Sequence, residues 1–71
     1  MNTQNISSAM MMVFDELVND KPSKKLINKI DKAKNDEQIK AGLVEGVKRL
    51  RELGKNALAD DIENKTKGFA F

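Results

Sequence analysis

Apolar and polar positions alternate along this chain with a helical period, most clearly between residues 35 and 54, NDEQIKAGLVEGVKRLRELG. Ile39, Leu43, Gly46, Val47, Leu50 and Leu53 recur at i, i+4, i+7, i+8, i+11 and i+14. At about 100° per residue they fall in one stripe about 120° wide. Lys40, Glu45, Lys48, Arg49 and Glu52 take the remaining surface, and the strict alternation of a half-buried strand is absent. Asn35 is placed to cap this helix, and Asp36 and Glu37 suit the positive end of its dipole. Gln38, three residues past the cap, can reach back as in a capping box. Gly54 suits the left-handed position that ends a helix, with Lys48, Arg49 and Arg51 near the negative end. The pattern predicts a helix over about residues 36–53.

Gly46 sits inside the apolar stripe and Gly42 at its edge, although glycine in a helix interior costs about 1 kcal/mol relative to alanine. Close approach of a neighbouring helix of the same chain accounts for Gly46. A small-residue groove for another chain is the alternative, but the G-x-x-x-G spacing is strong evidence only inside a membrane span.

The flanking segments repeat the helical period over shorter lengths. Over about residues 6–19, Ile6, Met10, Val13, Phe14 and Leu17 make an inward stripe, with Asn5 as N-cap and residues 1–5 frayed. Met11, Met12 and Val18 lie off that stripe and are expected on the surface. Asn19 to Ser23 reads as a turn, because Pro22 disfavours helix before it yet fits a first turn. A second helix over about residues 23–34, capped by Asp20 or Ser23, buries Leu26, Ile27, Ile30 and Ala33. A fourth over about residues 57–66, with Asn56 as N-cap, uses Leu58, Ala59 and Ile62 and is too short to stand alone. After Gly68 come Phe69 and Phe71, two of the three phenylalanines. They either fold back over the core, the favoured expectation, or meet another chain. The reading is all-α: a single domain, residues 1–71, of four short helices bundled around the third.

A chain of 71 residues holds one small core, so tight packing or oligomerisation is expected to support it. An apolar content of 39% with 34% charged residues suits a folded domain rather than a disordered one. No apolar run is long enough to span a membrane, and no secretory signal opens the sequence. With no cysteine either, the expected location is the cytosol. The net charge of +2 is too small to imply nucleic acid, but its distribution is uneven. Residues 1–20 carry Asp15, Glu16 and Asp20 with no base, whereas residues 21–34 carry six lysines and one aspartate.

Histidine, cysteine, tryptophan and tyrosine are all absent. That removes the commonest general base at neutral pH, the commonest metal ligands and the triads built on them. The serines and threonines read as caps and turns rather than nucleophiles, since none has a base to activate it. Asp60, Asp61 and Glu63 form the densest acidic cluster, but nothing supplies the six or more oxygens calcium takes, and it reads as a solvated face. No phosphate-binding glycine loop is present. Neither catalysis, a cofactor nor a metal is expected.

The remaining functions are binding functions. The favoured expectation is a protein-binding regulator or inhibitor, with a homodimer compatible with it. Its contact residues are Met11, Met12 and Val18 on the first helix, Val44 away from the core stripe of the third, and Phe69 and Phe71 in the tail. The alternative is a DNA- or RNA-binding module using Lys21, Lys24, Lys25, Lys29 and Lys32. Against it, Asn28 is the only base-reading candidate in that segment, the helix after the short turn at Asn35 carries Gly42, Leu43 and Val44 where base-reading side chains would project, and no recognition helix follows Leu58-Ala59. In helix count and size the chain is similar to the small bundles that phages, plasmids and bacteria use as inhibitors, immunity factors or regulators. That analogy of architecture does not fix function.

Overall fold

The computed structural model describes residues 3–71. Four helices follow one another with no strand among the described residues: α1 Thr3–Leu17, α2 Lys24–Asp31, α3 Asp36–Glu52 and α4 Asn56–Lys65. A 3-10 turn, Lys21–Ser23, leads into α2, with Pro22 in the first-turn position that tolerates its missing N–H. The longest helix, α3, packs against each of the other three, and α1 also touches α2 and α4.

Both ends of α3 are closed by hydrogen bonds that the sequence signals foreshadow. The Gln38 amide donates to Asn35 Oδ1 at 2.9 Å, the N-cap bond. The Gln38 side chain does reach back, but to the amide of Lys34 at 2.8 Å rather than to that of Asn35. At the other end Gly54 takes φ +80°. The amides of Gly54 and Lys55 donate to the carbonyls of Arg51 (3.0 Å) and Leu50 (2.8 Å). These are the paired bonds of a Schellman stop, and they satisfy carbonyls the helix leaves open. Leu53 follows the apolar period but is the C-cap, where the chain already turns away, and it is exposed rather than in the core.

The core consists of Ala9, Val13 and Leu17 from α1, Ile30 from α2, Leu43, Val47 and Leu50 from α3, and Ala59 and Ile62 from α4. Gly46 is the point of closest approach, since a Cβ there would lie 2.6 Å from Val13 Cγ1. Gly42 receives Ile30 in the same way, with Cγ1 at 2.8 Å from where its Cβ would be. The small-residue groove is therefore filled from within the chain. Its depth also rotates α1. With Val13 seated on Gly46, the buried stripe is Ala9, Val13 and Leu17, and the expected Ile6, Met10 and Phe14 become half-buried flanks.

Three further expectations are corrected. First, α1 begins at Thr3, so residues 3–5 are helical and Asn5 lies in the first turn instead of capping it; residues 1–2 of the stretch expected to fray lie outside the described residues. Second, α2 ends at Asp31 rather than near residue 34, because the Lys34 amide bonds the Gln38 side chain instead of continuing the ladder. Ile30 alone is buried there, with Leu26, Ile27 and Ala33 only partly covered. Third, Asn56 is the first residue of α4, and its cap position, Lys55, makes no side-chain capping bond.

The two buried polar side chains among the described residues are satisfied. Ser23 Oγ donates to Asp20 Oδ2, and Thr66 Oγ1 donates to the Ile62 carbonyl at 2.7 Å. Beyond Thr66 the chain turns back through Gly68, at φ +88°, with the Phe69 amide donating to the Thr66 carbonyl at 2.9 Å. This turn lays Phe69 against the core, as expected, with Ala70 beside it, but the expectation fails for Phe71, which the turn leaves outside.

Candidate functional site

The rotation of α1 gives that helix two apolar faces. With Val13 inward, Met11 and Phe14 stand at i and i+3 on the side of α1 nearest α2, and in sequence the same spacing runs on to Val18. Met11 is 65% exposed and Val18, just past the end of the helix, 49% exposed, while Phe14 is half-buried. Met10, Met11 and Phe14 line a groove of about 210 Å³ with Ile30 and Asp31 of α2. The two exposed large apolar residues here, Met11 and Val18, are among those expected from the sequence. Phe14, Met10 and Ile30, which complete the groove, carry the same helical spacing but read as core residues. The missed signal is the second period, Met11–Phe14–Val18, superposed on the first.

The other expected contact residues are not gathered there. Met12 turns to the opposite flank of α1, where it is half-buried and packs on the core, so its expected place on the open surface is corrected. Phe69 is likewise half-buried, with Lys40 Nζ 5.3 Å from its ring centroid, a cation–π distance. Val44 is 43% exposed on α3, one turn beyond Lys40. Phe71, 42% exposed, lines a separate groove of about 220 Å³ with Glu63, Asn64 and Lys67.

Among the described residues, charge is paired through α3 and its ends, and no ion pair joins α1 to α2. Asp20 receives two hydrogen bonds from Arg49, and Glu16 receives one from Lys55 at 2.7 Å. Lys29 Nζ bonds both oxygens of Glu45, at 3.1 and 3.2 Å. The Arg49 hydrogen bonds, and secondarily that of the Ser23 hydroxyl, hold the Asp20 carboxyl below the usual carboxylate range. The acidic cluster of α4 also has an internal partner. Arg51 Nη2 lies 2.6 Å from Glu63 and 2.8 Å from Asp60, and those bonds push its guanidinium pKa further up. Among the described residues no three His, Cys, Asp or Glu side chains group as a metal site would require.

What remains after this pairing is a set of exposed groups. Among the described residues, Lys21, Lys24, Lys25 and Lys32 form no ion pair, nor do Asp15 and Asp31. Lys25, Asn28, Lys29 and Lys32 lie on one side of α2 and, with Gln38, line a cleft of about 270 Å³. Four of the five lysines expected for a nucleic-acid surface are thus free, and the fifth, Lys29, is held by Glu45.

No protein-family model matches the chain, and no curated protein or solved structure shows significant similarity to it. No helix among the described residues is long and apolar enough to cross a membrane.

Proposed function

We propose that this chain is a small non-enzymatic regulator or inhibitor that works by binding protein, with the outer stripe of α1 as its contact surface. The observation that carries the reading is the apolar surface that α1 leaves outside the core: Met11 and Phe14 on the groove they line with Met10 and Ile30, with Val18 exposed just past the helix end. Large apolar residues arranged at i, i+3 and i+7 around a shallow groove are how helical surfaces anchor partners. Methionine adds the flexibility that lets one surface fit its occupant closely. Phe71 and Val44 lie outside this groove and act, in this reading, as separate minor contacts. A cytosolic setting fits a cysteine-free chain of this kind. Affinity capture from the host lysate tests the proposal, comparing the wild-type chain with a Met11→Lys/Val18→Lys variant. The reading expects a protein captured by the first and lost from the second; identical capture by both contradicts it.

A second reading rests on a different observation, the four lysines on α2 and at its two ends that form no ion pair among the described residues. Phosphate contacts by Lys21, Lys24, Lys25 and Lys32 would give sequence-independent, salt-sensitive binding to DNA or RNA. A mixed-sequence duplex titrated at low and moderate salt decides it. Binding that falls steeply with salt and disappears in Lys24→Glu/Lys25→Glu/Lys32→Glu supports this reading, and absence of binding at low salt removes it.

A further inference from the structure

We infer that the cleft between α2 and the first turn of α3 is a binding site for linked phosphate groups, those of a small phosphorylated compound or of a nucleic-acid backbone. It goes beyond the protein-binding reading and shares only Lys25 and Lys32 with the nucleic-acid one. Lys25, Asn28, Lys29 and Lys32 recur at i, i+3, i+4 and i+7, so α2 and its C-cap present them as one stripe. Gln38 of α3 completes the lining of a cleft of about 270 Å³.

The groups this cleft leaves uncommitted are donors. Lys25 and Lys32 form no ion pair among the described residues. Gln38 Oε1 already accepts from the Lys34 amide at 2.8 Å, so its NH2 is what that side chain still has to offer. Among the described residues no carboxylate lines the cleft, and Asp31 lines the separate groove on the α1 side of α2. Glu45 reaches Lys29 from a recess that shares Lys25 and Lys29 with the cleft. Three ammonium groups therefore face one carboxylate. Lys29 and Glu45 are each about half exposed, and an ion pair so placed contributes little, so an incoming anion can share Lys29. Lys25 and Lys29 at i+4, and Lys29 and Lys32 at i+3, are like-charge neighbours whose repulsion a bound anion relieves. Lysine meets phosphate as a point charge. With no arginine fork in the lining, affinity follows the charge packed into the cleft, and a phosphate chain packs more than carboxylates do. Among the described residues no aromatic lines the cleft to stack a base. Its volume also lies below the roughly 300–1,000 Å³ of pockets that enclose whole small molecules. The part held is therefore the phosphate chain.

Isothermal titration of the full chain with sodium phosphate, pyrophosphate and triphosphate at low ionic strength tests the inference. Binding should strengthen in that order and saturate at a single site. Lys25→Gln/Lys32→Gln should weaken triphosphate binding about tenfold or more. Lys21→Gln/Lys24→Gln, which removes the same charge outside the cleft, should weaken it far less. Glu45→Gln, which frees Lys29 and removes the nearby carboxylate, should tighten it. All of these positions are exposed, and unchanged helical circular dichroism verifies that each variant is folded. Displacement of a mixed-sequence duplex by triphosphate assigns the cleft to strand phosphates. Triphosphate binding without duplex binding assigns it to a small compound and removes only the nucleic-acid reading. No triphosphate binding at low ionic strength overturns the inference, as do equal losses in the two lysine variants, or a glutamate-rich peptide bound as tightly as triphosphate. A duplex bound by a chain that ignores triphosphate overturns the cleft while leaving the nucleic-acid reading standing.

Discussion

Arg49 grips Asp20 in two-pronged fashion, Nε to Oδ2 at 2.8 Å and Nη2 to Oδ1 at 3.1 Å. The pair ties the turn between α1 and α2 to the last part of α3, across 29 positions of sequence. Asp20 Oδ2 also accepts from the buried Ser23 hydroxyl, so one carboxylate organises the turn and its anchor together.

A pH dependence follows from that carboxylate. Its pKa in the folded chain is lower than when unfolded, so the folded state binds this proton less readily. The stability it lends is complete above the unfolded value of about 3.9 and is lost as pH falls from there through the lower folded value. Urea unfolding between neutral pH and about pH 2 should show wild-type stability declining at the acid end. Asp20→Asn should be less stable at neutral pH and lose less on acidification. Equal acid slopes for the two proteins would exclude the role given to Asp20.

Gly46 is constrained by its neighbour rather than by its own backbone. An alanine there gains about 1 kcal/mol of helix propensity. Its methyl group, however, would stand 2.6 Å from Val13 Cγ1, an overpacking that costs about 1–3 kcal/mol. Gly46→Ala should therefore lower stability, by up to about 2 kcal/mol, and the loss should shrink in a Val13→Ala background. Chemical denaturation of the two single variants and the double variant checks this. A Gly46→Ala protein more stable than wild type would show that α1 does not seat there.

Gly54 presents the opposite case, with open space around it and φ at +80°. Alanine meets no neighbour there but must take a left-handed backbone, at about 1–2 kcal/mol. Asn35→Ala, which removes the cap bond at the other end of α3, should cost about 1 kcal/mol. The sites are far apart and share no partner, so thermal denaturation of the double variant should show the two losses adding.

These positions also show how far the sequence could be read. The ends of α3 were legible because their signals are local: a cap, a side chain three residues on, and a glycine with its Schellman bonds. The core face of α3 was legible for the same reason, apart from Leu53, where periodicity runs on but the helix does not. On α1, size misled: Met10 and Phe14 outweigh Ala9, and only the seating of Val13 on Gly46 shows that the small residue is the buried one. Asp20–Arg49 and Glu16–Lys55 were not legible, since nothing local pairs residues so distant in sequence. For the candidate site, Met11 and Val18 were readable as surplus apolar surface. The groove was not, because its floor includes Ile30 from another helix.

The central claim is that the outer stripe of α1 is surplus to the fold. The most direct test is the unfolding free energy of Met11→Lys, measured by urea denaturation at protein concentrations too low for association to contribute. If Met11 serves only a contact outside the chain, the variant should match wild type within about 0.5 kcal/mol, as exposed substitutions do. A loss of about 2 kcal/mol or more, the scale of a core truncation, would place Met11 in the fold and contradict the account.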